Sequence, residues 1–244
     1  MLILRALSAL LQYPTEQLVG ALDEIADVID REAEAPGSER RDLDRLVENL
    51  RDGELVDLQE EYVFMFDRSR SLSLHIFEHV HGESRDRGQA LVDLKSVYES
   101  HGLFVDTKEL PDYLPLFLEF LSLLPDDEAR VLLAEPGHVF TALAERLARR
   151  KSPYESVFRL LVALGAARPD VQALEALRQE PDPAPDDFAA LDAAWEEEAV
   201  SFGPGQGGCR DDLAAKIRQG RRPAPGVEAQ VQAARAQAAQ AQHS

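Results

Sequence analysis

The hydrophobic residues of this chain recur at intervals of three and four positions over most of its length. Clear examples are Ile3, Leu7 and Leu10, then Leu18, Leu22, Ile25 and Ile29, and later Val157, Leu160 and Leu164. This spacing places hydrophobic side chains on one face of an α-helix, and no segment of five or more residues alternates as a half-buried strand does. The pattern predicts an all-α protein, a single helical-bundle domain of about eight or nine helices.

Prolines and glycines lie between the periodic stretches, where helices should begin and end. Among them are Pro14, Gly53, Gly102, Pro125 and Pro153. Ser84 can cap a helix that runs to about His101, and Gly82 can adopt the left-handed conformation that ends the preceding helix. Residues 72–101 are therefore predicted to form a tight helix-turn-helix.

The hydrophobic periodicity fades after about residue 166. From there, proline-rich and glycine-rich stretches alternate with small and polar residues, a composition typical of linkers and disordered segments. We therefore expect an all-helical domain over residues 1–165 and a linker with a largely disordered, flexible tail over residues 166–244. Trp195, the only tryptophan, stands among acidic residues in this tail, and we expect the segment 186–202 around it to dock on the folded domain.

The chain is strongly acidic, with 26 lysines and arginines against 45 aspartates and glutamates and a formal net charge of −19. This charge repels the phosphates of nucleic acids and attracts cationic partners. The single cysteine, Cys209, fits a reducing compartment, and the longest apolar stretch is too short to span a bilayer. We expect a cytoplasmic protein that binds no nucleic acid and does not insert into the membrane.

The negative charge is concentrated in residues 15–61, which contain sixteen acidic and five basic residues. Such a cluster can be a solvated face that maintains solubility. Alternatively, its field can attract a basic segment of a partner.

The run His75-Ile-Phe-Glu78-His79 matches the His-x-x-Glu-His pattern of some zinc hydrolases. In that pattern two histidines one helical turn apart bind the metal, and the glutamate activates its water. A catalytic zinc normally has a third protein ligand, and the pattern belongs to larger proteins that contain strands. A zinc hydrolase using His75, Glu78 and His79 is thus an alternative that the sequence disfavours.

Two other interpretations of the 72–101 hairpin remain open. His79 and His81 precede Gly82, where their rings can fill the core or complement the unpaired carbonyls at the end of a helix. The hairpin and the residues before it also carry a local cluster of arginines, which suits a binding surface. These are Arg68, Arg70, Arg85 and Arg87.

A polar stripe is predicted on the hydrophobic stretch from Leu110 to Leu121. On a helix that begins at Pro111, positions three and four apart form one narrow face. They are Asp112, Pro115, Glu119, Ser122 and Asp126. The stripe is either the solvated edge of a central helix or part of a peptide-binding groove in which Asp112 and Glu119 bind Arg or Lys.

Tyr62, Phe64, Met65 and Phe66 place three aromatic rings and a thioether on two helical turns. Such residues form a hydrophobic core or line an adaptable peptide groove. The sequence contains no glycine-rich phosphate loop, no set of residues spaced as a catalytic triad and no cysteine-rich metal motif. We therefore expect no enzyme activity, no cofactor and no bound metal.

These residues resemble the signature of a known family. The resemblance covers Glu61-Tyr-x-x-x-Phe-Asp-Arg-x-Arg, then Ser73-Leu-x-x-Phe-Glu-His-Val-His-Gly-Glu-Ser-Arg-Asp-Arg-Gly-Gln-Ala-x-Val-Asp-Leu94, then Glu99-Ser-His-Gly-Leu103, and residues 109–121 and 191–200. In these residues the chain resembles the respiratory nitrate reductase assembly chaperones, also called the delta subunit or NarJ family. The Pro-Asp element at residues 111–112 resembles chaperones for other molybdenum reductases as well, in which the next residue is commonly His rather than Tyr113.

The resemblance implies an all-helical chaperone, not an enzyme, that binds the N-terminal segment of the apo catalytic (alpha) subunit of nitrate reductase. It also implies support for molybdenum cofactor insertion and a delay of membrane attachment until insertion is complete. We expect the chaperone itself to be a monomer. A chaperone of the same fold for another molybdenum reductase is the alternative.

The residue patterns and the resemblance together nominate two sets of site residues. The predicted peptide-binding residues are Asp112, Tyr113, Leu116, Glu119, Phe120, Tyr62 and Phe66. The predicted family-signature hairpin comprises His75, Phe77, Glu78, His79, His81, Gly82, Arg85, Asp86 and Arg87.

Overall fold

A computed structural model confirms the all-α fold. It describes residues 1–32, 37–68, 70–82, 84–105 and 108–182, and within these ranges it contains twelve α-helices but no β-strand. The helices are α1 (Leu2–Leu10), α2 (Glu16–Gly20), α3 (Leu22–Glu32), α4 (Gly37–Asp52), α5 (Leu55–Tyr62), α6 (Ile76–His81), α7 (Arg85–Ser100), α8 (Leu114–Ser122), α9 (Asp126–Ala134), α10 (Gly137–Arg149), α11 (Glu155–Leu164) and α12 (Val171–Gln179). A π-helical turn (Val63–Asp67) and a 3-10 turn (Arg70–Leu72) lie between α5 and α6. The predicted docking segment 186–202 lies outside the described residues.

The described helices exceed the expected eight or nine because short helices give a weak periodic signal. The stretch over residues 18–29 is divided at Ala21 into α2 and α3. Helices α9 and α12 each bury only two side chains, too few to establish a period. Helix α12 buries Leu174 and Leu177 and packs on α10, so the described fold continues beyond the expected limit at residue 165.

Helices α1 and α8 pack along each other in the core. Both are strongly apolar: six of the nine residues of α8 are buried, and Leu4 and Leu7 of α1 have no exposed surface. The Ser8 hydroxyl donates to the Pro115 carbonyl at 2.7 Å, so this buried polar group is satisfied. Despite this apolarity, no helix in the described part of the chain is long enough and apolar enough to cross a bilayer.

Helix α10 packs on α11 and α12, and its buried face includes Arg146, which is 2% exposed. Arg146 donates from Nη1 to the Ser71 carbonyl at 2.7 Å and from Nη2 to the Leu177 carbonyl at 2.6 Å. A guanidinium is tolerated in the interior only when it is paired in this way. The side chain therefore joins the 3-10 turn and α12 to α10.

The predicted helix-turn-helix is present as α6 and α7. Helix α6 begins at Ile76 rather than near residue 72. Gly82 ends α6 with a φ of 55°, a conformation that glycine adopts without steric cost. Ser84 occupies the N-cap position of α7, but its side chain makes no capping hydrogen bond.

Candidate functional site

Two separate segments of the chain pair through their backbones and build the floor of the candidate site. The Leu114 amide donates to the Leu74 carbonyl at 2.8 Å, and the Ile76 amide donates to the Asp112 carbonyl at 3.1 Å. This short antiparallel pairing places His75 opposite Tyr113. We refer to residues 74–77 and 112–114 as the paired segments.

Asp112 lies inside the paired segments and has no exposed surface. Its Oδ2 accepts from the Phe77 amide at 3.0 Å, and its Oδ1 lies 3.2 Å from Nδ1 of His75. Both carboxylate oxygens are thus used within the protein. The sequence predicted that Asp112 binds Arg or Lys of a peptide, whereas the structure shows its carboxylate buried and bound to Phe77 and His75.

The predicted carboxylate stripe is not formed. Helix α8 begins at Leu114 with Pro115 in its first turn, so Asp112 precedes the helix and does not share its helical face. Glu119 lies exposed on α8, whereas Asp112 and Pro115 are buried. The spacing predicted a helix that starts at Pro111. This prediction is wrong because the backbone of residues 112–114 pairs with residues 74–76 instead.

His75 is held beside Asp112 and packs against Tyr113, with ring centroids 5.5 Å apart and the ring planes tilted by 39°. Burial alone would lower the pKa of His75, but the hydrogen bond and the attraction to Asp112 outweigh burial and raise that pKa. Its side chain is 25% exposed. His75 is therefore a solvent-accessible ring whose protonated form is favoured by a buried carboxylate.

A pocket of about 290 Å³ opens beside His75 and Tyr113. Its lining combines aromatic rings, hydroxyl groups and two carboxylates. The lining residues are Tyr13, Tyr62, Phe66, Asp67, Ser73, Leu74, His75, Glu109 and Tyr113. The volume suits one or two side chains of a ligand rather than a whole domain, so the pocket can receive part of a peptide.

Aromatic rings form one wall of this pocket. Tyr62 contacts Tyr13 edge to face at 5.6 Å and Phe66 at 5.0 Å between ring centroids, and Phe66 contacts Tyr154 at 5.1 Å. The Tyr62 hydroxyl donates to the Leu11 carbonyl at 2.9 Å and lies 3.3 Å from the Tyr113 hydroxyl. The rings are therefore fixed by packing and by hydrogen bonds before any ligand arrives.

The π-helical turn explains how Tyr62, Phe66 and Asp67 reach the same pocket. It is closed by a hydrogen bond from the Arg68 amide to the Val63 carbonyl at 3.1 Å. Such a turn contains one more residue than an α-helical turn and is frequent at functional sites. The wider turn continues α5 and carries Phe66 and Asp67 to the pocket that Tyr62 also lines.

Two carboxylates in the pocket, Asp67 and Glu109, were not nominated from the sequence. Burial and the nearby charge of Glu109 raise the pKa of Asp67, and His75 opposes this effect. Two like charges close together favour a cationic ligand, which relieves their repulsion. No periodic signal marks Glu109, because it lies in a loop, and Asp67 reaches the pocket only through the π-helical turn.

Three of the seven predicted peptide-binding residues line the pocket, and the other four do not. Tyr62, Phe66 and Tyr113 line the pocket, and Asp112 lies beneath it. Leu116, Glu119 and Phe120 do not line it: Phe120 is 4% exposed and packs on Tyr98 and His101, Leu116 is half-buried and Glu119 is exposed. Whether any of the seven binds a peptide stays a prediction.

The histidines of the hairpin have separate partners. His79 is buried and its Nε2 donates to the Ser73 carbonyl at 2.8 Å, while burial lowers the pKa of His79 to about 4. The ring is therefore neutral at physiological pH, as a core histidine should be. His81 is also buried, and its ring packs edge to face on Phe77 at 5.5 Å.

The acidic and basic residues of the hairpin lie nearer the surface. Arg87 donates to Glu78 at 2.9 Å, and Arg85 and Asp86 are exposed in the first turn of α7. The three residues of the zinc pattern thus bind three different partners within the protein. Among the described residues, no group of three or more His, Cys, Asp or Glu side chains is arranged to hold a metal ion.

Comparisons with known proteins agree with the resemblance. A protein-family model described as nitrate reductase delta subunit matches residues 30–159. The probable nitrate reductase molybdenum cofactor assembly chaperone NarW of Escherichia coli (strain K12) is 42% identical over 204 residues, which cover 83% of this chain and 84% of that relative.

Two further relatives carry the same description. The nitrate reductase molybdenum cofactor assembly chaperone NarJ of Escherichia coli (strain K12) is 42% identical over 196 residues, covering 80% of this chain and 82% of the relative. A probable chaperone of that name from Bacillus subtilis (strain 168) is 33% identical over 162 residues, covering 65% and 85%. The chain therefore belongs to the nitrate reductase delta subunit family of molybdenum cofactor assembly chaperones, which are not enzymes.

Proposed function

We propose that this protein is an assembly chaperone that binds the N-terminal segment of the apo catalytic subunit of nitrate reductase. The pocket beside His75 and Tyr113 is the proposed contact site for that segment. The observation that carries the proposal is the combination, in one pocket, of fixed aromatic rings with the carboxylates of Asp67 and Glu109.

The chemistry of the pocket suits a segment with both hydrophobic and basic side chains. Aromatic faces bind apolar groups and cations, and carboxylates bind Arg or Lys through charge-assisted hydrogen bonds. Recognition of an amphipathic helix by a hydrophobic groove uses the same kinds of contact. The net charge of −19 adds a long-range attraction for a basic segment.

The names of the relatives support nitrate reductase as the client, because each describes assembly of its molybdenum cofactor. In the proposed role, the bound apo subunit is held competent for cofactor insertion, and its attachment to the membrane subunit is delayed until insertion is complete. This work takes place in the cytoplasm and is done by a monomer. This role requires side chains that bind a peptide rather than nucleophiles, and the pocket provides aromatic rings and carboxylates of that kind.

The test is a calorimetric titration of the protein with a synthetic peptide of about 15 to 30 residues from the N-terminus of the catalytic subunit. We expect saturable one-to-one binding that weakens as salt is raised. Asp67→Asn should weaken binding by roughly 3- to 10-fold, since it removes a charged contact worth about 0.7 to 1.4 kcal/mol at a partly exposed site. Glu60→Gln is the matched control, because Glu60 is exposed on α5 and does not line the pocket.

The outcomes separate the proposal from its alternatives. Equal affinity of the Asp67→Asn and Glu60→Gln variants would remove the pocket from the proposal but not the client. Tighter binding of the corresponding peptide from another molybdenum reductase would favour a chaperone of the same fold for that enzyme. No binding of either peptide, with capture of the intact apo subunit, would move recognition to a different surface.

A further inference from the structure

Two arginines bind the side chain of Asp182, the last described residue. The Asp182 carboxylate accepts from Nη2 of Arg150 and from the Ser71 hydroxyl, each at 2.7 Å, and from Nη2 of Arg149 at 2.7 Å. Burial would raise the pKa of Asp182, but these hydrogen bonds and charges outweigh it and lower the pKa. Asp182, the last described residue, is therefore held as an anion by Arg149 and Arg150 at the end of α10 and by Ser71 in the 3-10 turn.

More cations lie around this attachment point. Arg68 and Arg70 precede Ser71 in the chain, and Lys151 follows Arg150. The two stretches are in contact, because Nη2 of Arg150 also donates to the Ser71 hydroxyl oxygen at 3.5 Å. We refer to Arg68, Arg70, Arg149, Arg150 and Lys151 as the arginine face. The face is unusual in a protein with a net charge of −19.

An apolar contact is available on the same face. Phe64 is half-buried, and the Arg68 guanidinium lies 5.8 Å from the centre of its ring. An aromatic ring beside arginines is a common place for a tryptophan or phenylalanine of a partner to bind. The face therefore combines basic residues with an adjacent aromatic ring.

The sequence just beyond Asp182 has the complementary composition. Residues 186–202 contain six acidic residues and no lysine or arginine. Phe188, Leu191 and Trp195 are spaced three and four apart, so they share one face if the segment is helical. Asp186 follows Asp182 by four residues and thus lies within about 14 Å of it, whatever the conformation between them.

We propose that the acidic segment 186–202 of this chain docks on the arginine face, with Trp195 against the apolar surface beside Arg68. The attachment of Asp182 makes this binding intramolecular, so that a weak interface is occupied at a high effective concentration. The docked segment lies next to the π-helical turn that carries Asp67 to the pocket. The docking does not depend on the identity of the client.

Trp195 provides a direct probe, because it is the only tryptophan in the chain. The measurement is acrylamide quenching of its fluorescence in the full-length protein and in a synthetic peptide of residues 183–202. We expect a several-fold smaller quenching constant and a blue-shifted emission in the full-length protein. In roughly 1 M salt, where the Debye length is about 3 Å, the protection should decrease.

Charge reversal tests the location. Arg149→Glu combined with Arg68→Glu should restore quenching to the level of the free peptide. Arg45→Glu is the matched control, because Arg45 is exposed on α4 and pairs with Asp42 in its own helix. Circular dichroism of the three proteins separates undocking from unfolding.

Three results would overturn the proposal. Equal quenching in the full-length protein and the free peptide would show that the segment is not docked. Protection that survives the double reversal would place the segment on another surface, and protection that grows with protein concentration would assign it to a second copy of the chain. None of these results depends on client binding, so failure here is distinguishable from failure of the proposed function.

Discussion

The carboxylate of Asp112 has no exposed surface, yet it determines how the pocket is arranged. It accepts hydrogen bonds from the Phe77 amide and from the His75 ring, and a buried carboxylate is stable only with such partners. Through these bonds it fixes His75 next to Tyr113. Asp112 is therefore a positioning residue that orients His75 at the pocket.

The buried ring of His79 should make the free energy of unfolding depend on pH. Its pKa is about 4 in the folded protein, below the ordinary value of 6.5, because burial disfavours the charged ring. The unfolded state therefore binds the proton more tightly, and stability is lost as the pH falls from 6.5 towards 4. Between pH 7 and pH 5 this histidine should cost about 2 kcal/mol.

The measurement is urea unfolding of the wild type and of His79→Gln at pH 7 and pH 5. Glutamine can retain a donor for the Ser73 carbonyl but does not titrate. We expect the wild type to lose about 2 kcal/mol more than the variant over this interval. His75 has a raised pKa, so its contribution has the opposite sign, and the comparison cancels it because both proteins contain His75. An equal loss in the two proteins would contradict a buried neutral His79.

At the scale of elements, two irregular turns shape the candidate site and the helical hairpin. The π-helical turn Val63–Asp67 brings Phe66 and Asp67 to the pocket, and only three residues separate the end of α6 from the start of α7. Both depend on local backbone geometry rather than on side-chain periodicity. The second depends on one glycine, Gly82.

Two glycines of the hairpin should respond to alanine with opposite signs. Gly82 has a φ of 55°, where a Cβ is strained although no atom would lie within 4 Å of it. Gly82→Ala should therefore destabilise the fold by about 1 to 3 kcal/mol. Gly88 lies inside α7, where an added Cβ would also meet no atom within 4 Å, so Gly88→Ala should stabilise the fold by about 0.5 to 1 kcal/mol. Denaturant unfolding measures both, and the same sign for the two variants would refute this account of the turn.

At the scale of the whole molecule, α12 is the last described helix and packs on α10. Leu174 and Leu177 are 9% and 4% exposed, and the Leu177 carbonyl is an acceptor for the buried Arg146. The helix therefore contributes both hydrophobic burial and a partner for an internal charge. Three residues after its end, Asp182 pairs with Arg149 and Arg150.

Truncation tests this contribution. A chain that ends at residue 182 keeps every described helix, so relative to the full chain it should lose only the contribution of the docked segment 186–202. A chain that ends at residue 165 should be less stable by about 3 to 6 kcal/mol, because two buried leucines are each worth about 1.5 to 3 kcal/mol. The loss of the acceptor for Arg146 adds to this cost. Equal stability of the two truncated chains would show that α12 is not part of the cooperative fold.

The fold class was predictable because amphipathic helices repeat their hydrophobic residues at short range. The same is true of the α6 and α7 pair, since Gly82 marks its turn in the sequence. The lining of the candidate pocket was predictable only in part: Tyr62, Phe66 and Tyr113 line the pocket, whereas Asp112 is buried and Glu119 does not line it. The shared helical face assumed for these two carboxylates requires a helix start that the sequence does not specify.

The sequence by itself determined the all-α class, the helical hairpin and, through its signature residues, the family. Only the tertiary structure decided which side chains meet, because the pocket joins Tyr13, Asp67 and Glu109 from segments far apart in the chain. The same holds for Asp112, whose burial follows from pairing with residues 74–77. Helical periodicity reports which face of a segment is buried, but it contains no information about which distant segment covers that face.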